Sequence, residues 1–427
     1  MKKEEKERKA EIEYMYLKLK YNPRDDIVCL FRIDPAKGIS LKQAAETVAL
    51  ESSIGTWVTL PETKYLTKLA AKIFEIDGNL VKIAYPSELF EKGNAPNILS
   101  SIAGNIFGMK AVDNLRLEDV SFPKSIIKSF PGPYHGVEGI RNILGVRDRP
   151  LLGTIIKPKL GLNAEEHARK AYEAWVGGCD ATKDDENLAS QNFNMFGIRL
   201  AKTLEMKDKA EQETGEKKAY LINVTAETEE MIKRAELVKE QGGKFCMVDI
   251  MTSGFSALQT LRNANLKLAI HAHRAMHAAM TRNPKHGIRM IVIADFARLI
   301  GVDSLHIGTG IGKLEGEIKE VKELKDEIEE SKVTETNLRL KQDWNKLKPV
   351  IAVCSGGLQP LHFPYLIKNL GKDIIIQAGG GIHSHPDGTI AGAAAARQSI
   401  DAVMKQISLR EYAKTHEELR KAIKMWG

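Results

Sequence analysis

From residue 151 onward the chain alternates short apolar runs with longer, charged stretches compatible with helices. The runs cover residues 151–156, 179–182, 219–224, 245–250, 266–271, 304–307, 350–353 and 373–377. Short apolar runs bounded by polar residues predict buried strands, and strands that alternate with helices imply a parallel sheet. Eight such units in about 295 residues match the demands of a closed (β/α)8 barrel. An open, doubly wound sheet has the same rhythm, because spacing alone does not close a barrel.

Before this region the pattern is mixed. Residues 13–20 and 27–33 are candidate strands flanking Asn22-Pro23, and Ser40 is a fair N-cap for a helix over 40–50. Residues 72–76 and 80–85 predict a hairpin around Asp77-Gly78. These elements make an α+β unit of roughly 130 residues, and Pro131-Gly132-Pro133 marks a boundary between domains 1–132 and 133–427. The charged stretch 315–346 predicts an exposed, salt-bridged helix and connection.

Composition narrows the class. With 427 residues, 43% of them hydrophobic, the chain can build one large domain and a smaller one. No apolar stretch approaches the roughly 20 residues that span a bilayer, and the charged start, residues 1–9, has no apolar signal core behind it. A cytoplasmic protein without membrane association is expected. Cys29, Cys179, Cys246 and Cys354 lie far apart within apolar runs, which predicts buried, reduced thiols. The net charge of +7 is interleaved with acids and only 6% of residues are aromatic, a poor match to nucleic-acid binding. A polyanionic small substrate suits this balance better.

In a barrel, chemistry belongs at the carboxyl ends of the strands. Lys157-Pro158-Lys159 follows the first run, Lys183-Asp184-Asp185-Glu186 the second, and His271-Ala272-His273-Arg274 closes the fifth. His306 and a glycine-rich loop ending in Lys313 follow the sixth, Ser355-Gly356-Gly357 the seventh and Gly379-Gly380-Gly381 the eighth. Six of eight strand ends thus carry cations, carboxylates or glycines.

Strand alternation sends Lys183 and Asp185 to one side and Asp184 to the other, and Glu186 can turn back to join the first pair. Such oxygen ligands suit Mg²⁺, but an ammonium cannot ligate a cation. Lys183 fits only if it is deprotonated or chemically altered. The loop from Gly308 to Lys313 is no Walker motif, which would need glycine at Ile307 and Ser or Thr at Leu314. It suits a lid that carries one lysine. Glycine turns after strands seven and eight can cradle a phosphate, and Arg274 with His306 can take a second anion. A bisphosphorylated substrate follows from the pair.

At these residues the sequence closely resembles the large subunit of ribulose-1,5-bisphosphate carboxylase/oxygenase (RuBisCO), from about Glu51 to about Gly381. GGCDATKDDE at 177–186 resembles its activation motif, GTIIKPKLGL at 153–162 its first-strand motif and HRAMH at 273–277 its fifth-strand motif. GTGIGKLEG at 308–316 is similar to its mobile loop. ESSIGTW at 51–57 and Gly104-Asn105 are similar to segments that complete a neighbouring subunit's site.

The resemblance implies a (β/α)8 barrel with a ferredoxin-like α+β domain in front of it. It implies that an activating CO₂ carbamylates Lys183, and that the carbamate, Asp185 and Glu186 bind Mg²⁺. Lys183 would then be the base at C-3 of ribulose 1,5-bisphosphate, Lys157 the final acid supported by Lys159, and His273 an aid to proton transfer. Lys313, positioned by Glu51 across a dimer interface, would stabilise the carboxylate formed from substrate CO₂. Arg274 and His306 would hold one phosphate. Thr56, Trp57, Gly357, Gly379, Gly380 and Lys313 would hold the other, beside Gly356, with Ser355 and Asn105 on sugar hydroxyls or the gas. The implied products are two molecules of 3-phosphoglycerate, with an O₂ side reaction. A homodimer or a multimer of dimers with shared sites is implied.

Ile155 departs from the threonine of plant members, and the chain ends at Gly427 without their long tail, so loop closure is expected to depend on other contacts. Both features resemble the archaeal-type form III or the intermediate form II/III. In that form no small subunit is expected, and the setting would be AMP or nucleotide-ribose salvage. The alternative is a RuBisCO-like enolase or isomerase acting on another phosphorylated ketose. Such proteins typically lose the loop lysine and phosphate ligands that this chain keeps.

Overall fold

The computed structural model describes residues 16–55, 64–312 and 317–427. These residues form two compact units.

The smaller unit comprises the chain up to Pro131 together with residues 276–299 and 330–347. Its sheet is built on Asp26–Pro35, which pairs antiparallel with Leu80–Pro86 on one side and Val112–Ser121 on the other. Lys72–Asp77 extends one edge and the two-residue strand Gly287–Ile288 the other. The Asp77-Gly78 turn of the expected hairpin is present, with Gly78 at φ 56°, where a side chain is disfavoured. Helix Leu41–Glu51 starts at a full capping box between Ser40 and Gln43. No strand covers the described part of 13–20, where Leu17 makes only an isolated bridge to Ile73.

The stretch 315–346 is not simply an exposed helix and connection. Its helix Ile318–Glu329, which belongs to the larger unit, buries Val321, Leu324 and Ile328, a stripe at helical spacing hidden among charges. Further on, Trp344 is fully buried, with the Arg298 guanidinium 4.8 Å and the Phe122 ring 6.3 Å from its ring. An indole there buries more apolar surface than the surrounding charges can oppose.

The larger unit is a closed barrel of eight parallel strands. In chain order they are Leu151–Ile155, Ala181–Lys183, Ala219–Asn223, Phe245–Asp249, Ala269–His273, Ser304–His306, Ile351–Ser355 and Ile374–Gln377. All eight apolar runs became strands, and closure removes the open-sheet alternative. The second strand starts later than predicted and takes in Lys183, and the fifth runs from Ala269 instead of 266. The left-handed backbone at Asn265 and Lys267 (φ 50° and 62°) delays that start.

Alternation points Leu151, Ala181, Ala219, Leu221, Phe245, Ala269, Ile351, Val353 and Ile375 into one core cluster. Helix Gly136–Leu144 adds Val137, Ile140 and Leu144 to it at the amino end of the strands. Buried carboxylates tie this end together. Asp180 accepts from Arg149 and from the Leu152 amide, each at 2.7 Å, and Asp303 from Arg262 at 2.6 Å and the Ile270 amide at 2.9 Å. With the amino end filled and pinned, the carboxyl end is left to carry polar groups. All four cysteines are buried and unpaired. Among the described residues no helix is long and apolar enough to cross a membrane.

Candidate active site

The second strand ends at Lys183, whose side chain is 1% exposed. Its Nζ donates to the Asp184 carbonyl at 2.8 Å and to Glu186 Oε2 at 3.3 Å. Burial raises the Glu186 carboxyl, but Lys183 and His273 outweigh burial and hold it at about 2. Asp185 is almost fully buried and accepts from Lys157 Nζ at 2.9 Å, which brings the first strand end onto the second. Lys159 donates to Asn187 Oδ1 at 2.9 Å in the same loop.

Asp184 points the other way, as alternation requires. It is wholly buried and accepts from Arg199 Nε at 3.1 Å, the Tyr220 hydroxyl at 2.7 Å and the Asn223 amide at 3.1 Å. His167 Nε2 lies 3.0 Å away. Burial works against its ionisation, but Arg199 and His167 overcome that and keep it well below the ordinary carboxylate range. Asp184 therefore anchors the loop from behind, while its neighbours face the barrel mouth.

His273 Nε2 stands 3.6 Å from Glu186, and its Nδ1 lies 2.6 Å from Asp249 Oδ1. His306 packs edge-to-face against His273, ring centroids 4.7 Å apart. Burial lowers the Arg274 guanidinium to about 10. Its Nη2 would sit 3.1 Å from a Cβ at Gly308, where φ is 98°, so only glycine fits the start of the sixth loop. Gly312 passes so close to Gly356 that a Cβ there would lie 2.7 Å from the Gly356 carbonyl oxygen. At the eighth strand end a Cβ on Gly379 would lie 3.0 Å from Lys157 Cε, and Gly380 opens the short helix Gly380–His383. Ser355 closes the seventh strand.

Lys157, Lys159, Lys183, Asp185, Glu186, His273, Arg274, His306, Ser355, Gly356, Gly357, Gly379 and Gly380 thus all stand at the carboxyl end of one barrel. Glu51 and Asn105 belong to the smaller unit, where Asn105 Nδ2 donates to Glu51 Oε1 at 3.5 Å. Thr56, Trp57 and Lys313 lie outside the described residues.

Sequence reasoning passed over the third and fourth strand ends. They carry Asn223, which donates to the Glu186 and Leu188 carbonyls at 3.2 and 3.1 Å, and Asp249, which holds His273. The signal was available: each is a polar residue at the next-to-last position of an apolar run. Gln377, buried with both side-chain polar atoms lacking a hydrogen-bond partner, was missed for the same reason.

Two family models cover nearly all of this chain: the ribulose bisphosphate carboxylase large chain catalytic domain over residues 136–426, and its N-terminal domain over residues 15–126. The chain belongs to the RuBisCO large-chain family. The ribulose bisphosphate carboxylase of Methanosarcina mazei is 51% identical over 96% of this chain and 98% of that protein. That of Methanocaldococcus jannaschii is 50% identical over 96% and 99%. The dimeric archaeal Rubisco from Hyperthermus butylicus superposes with a TM-score of 0.93 at 48% identity, covering 97% of this chain and 99% of that one. The octameric enzyme from Pyrococcus horikoshii gives 0.90 at 46%, covering 96% of each.

The RuBisCO fold places two carboxylates and a lysine at the barrel mouth. Among the described residues no three His, Cys, Asp or Glu side chains are spaced to hold a metal. Two carboxylates beside a lysine amine are one anionic ligand short of a Mg²⁺ site. A carbamate on Lys183 would supply such a ligand, and the donor set would then fit the ion.

Proposed function

We propose that the chain is a ribulose-1,5-bisphosphate carboxylase/oxygenase. It adds CO₂ to the enediolate of ribulose 1,5-bisphosphate and cleaves the product to two molecules of 3-phosphoglycerate, with O₂ as a competing reactant. The observation that carries the reading is Lys183: a buried amine partnered by Glu186 and one carbonyl, beside a carboxylate held by Lys157. A barrel built only for stability has no use for such a group.

Lys183 as its carbamate, Asp185 and Glu186 would hold Mg²⁺. Bound there, the ion supplies Lewis-acid stabilisation of the charge that develops on the substrate. As its carbamate, Lys183 would take the C-3 proton, and His273, oriented by Asp249, assists its transfer. Lys157 gives the final proton to the carbanion left by C-2 to C-3 cleavage, and Lys159 supports it from Asn187. Arg274 and His306 bind one phosphate. Backbone amides of Gly357, Gly379 and Gly380, with Thr56, Trp57 and Lys313, bind the other. Ser355 and Asn105 meet the sugar hydroxyls or the gas, and Lys313 steadies the new carboxylate.

Glu51 and Asn105, together in the smaller unit, serve the site of a neighbouring subunit, so the smallest active form is a homodimer. Relatives described as dimeric and octameric support an assembly of several copies. The test is incorporation of labelled CO₂ into acid-stable product from ribulose 1,5-bisphosphate, with and without Mg²⁺ and bicarbonate preincubation. Activation-dependent fixation is expected. Proton exchange at C-3 without fixation would mean an enolase.

A further inference from the structure

Ser304 and His271 have no part in the chemistry proposed above, yet with His306 they form one hydrogen-bonded line inside the barrel. Ser304 and His271 are register partners on the sixth and fifth strands, and His306 follows Ser304 by two positions. Alternation therefore puts all three on the inner face. Ser304 Oγ lies 2.8 Å from His271 Nδ1, and His271 Nε2 lies 2.9 Å from His306 Nε2. Their exposures are 3%, 1% and 6%. Burial pushes both imidazoles well below their ordinary value. Each ring is neutral and carries one N–H.

Two neutral rings that meet through Nε2 share a single proton, so two arrangements exist. In the first, His306 donates to His271, and His271 Nδ1–H donates to Ser304; His306 Nδ1 then offers a bare lone pair. In the second, the Ser304 hydroxyl donates to His271 Nδ1, His271 Nε2–H donates to His306, and His306 carries its proton on Nδ1. Nδ1 of His306 has no hydrogen-bond partner among the described residues. A lone pair there would face a phosphate oxygen with repulsion, whereas an N–H would bind it. An anion is compatible only with the second arrangement.

We propose that Ser304 and His271 are positioning residues that hold His306 as the Nδ1–H tautomer, so that a neutral imidazole donates to an anionic oxygen of the substrate. The inference rests on the reading of His306 as a phosphate ligand. It makes the grip independent of imidazole protonation, leaving Arg274 to provide the charge.

The experiment combines a long-range ¹H–¹⁵N spectrum of the histidine-labelled dimer at pH 8 with kinetics of Ser304→Ala and Ser304→Thr. The wild-type spectrum should show His306 protonated at Nδ1 and His271 at Nε2. Ser304→Ala should raise KM for ribulose bisphosphate roughly tenfold, the scale of one charge-assisted hydrogen bond, with a much smaller change in kcat. Ser304→Thr, which keeps the hydroxyl, should restore KM. His306 protonated at Nε2, or cationic, would overturn the relay. The expected tautomers with KM unmoved by Ser304→Ala would overturn the premise that His306 holds the phosphate.

Discussion

Asp249 Oδ1 lies 2.6 Å from Nδ1 of His273, and the opposite ring nitrogen points toward Glu186 at 3.6 Å. A carboxylate this close favours the ring with its proton on Nδ1 over one that accepts there from the Ala275 amide at 3.2 Å, and leaves Nε2 to handle protons. Asp249→Asn keeps the shape and removes that preference. It should lower kcat by about 10²-fold, the scale of one proton-transfer group, with unchanged thermal stability. Full activity in this variant would remove Asp249 from the site.

Arg199 and Asp184 form an ion pair with both side chains 0% exposed. Removing one partner leaves a buried charge without compensation, at a cost of about 3–5 kcal/mol. Arg199→Met should therefore shift the urea midpoint more than Tyr220→Phe, which gives up a single hydrogen bond to a carboxylate worth about 2 kcal/mol. Equal shifts would show that Arg199 is not the principal counter-charge.

Gly379 keeps the backbone of the eighth strand end clear of Lys157. A methyl group there meets Lys157 Cε at 3.0 Å and can be relieved by moving the lysine. Gly379→Ala should fold normally and lose roughly tenfold in kcat through displacement of the final acid. Unaltered kcat would place Lys157 elsewhere during the reaction.

The fold was legible because fully buried parallel strands read as continuous apolar runs, and eight of them fit one barrel. Closure was not legible, since it depends on register between distant strands. At the site, clusters such as 183–186 announced themselves by charge density. Asn223 and Asp249 did not, because a single polar residue inside an apolar run adds no charge density that marks a site. The burial of Trp344 was hidden by the charges around it. Ser304 and His271 become partners only through register across two strands, which no linear pattern reveals.

His383 gives the larger unit an acid-sensitive point. Burial, reinforced by Lys170, lowers its imidazole from 6.5 to about 4, and Thr154 Oγ1 lies 3.1 Å from Nε2. Between these values the unfolded chain binds a proton that the folded chain does not. Stability is thus full above 6.5 and falls as pH drops toward about 4, by up to about 3 kcal/mol. Buried His271 and His306 act in the same direction. His383→Gln should flatten the dependence of the urea midpoint on pH between 6.5 and 4.5. Parallel pH profiles for variant and wild type would contradict this.

As proposed above, Lys183 becomes an anionic ligand beside Asp185 and Glu186. The direct measurement is ¹³C NMR of the protein equilibrated with ¹³CO₂ and Mg²⁺, compared with Lys183→Arg. One slowly exchanging carbamate signal, dependent on Mg²⁺ and absent from the variant along with all carboxylase activity, is the predicted result. An active wild-type enzyme without that signal, or an active Lys183→Arg variant, would contradict the account.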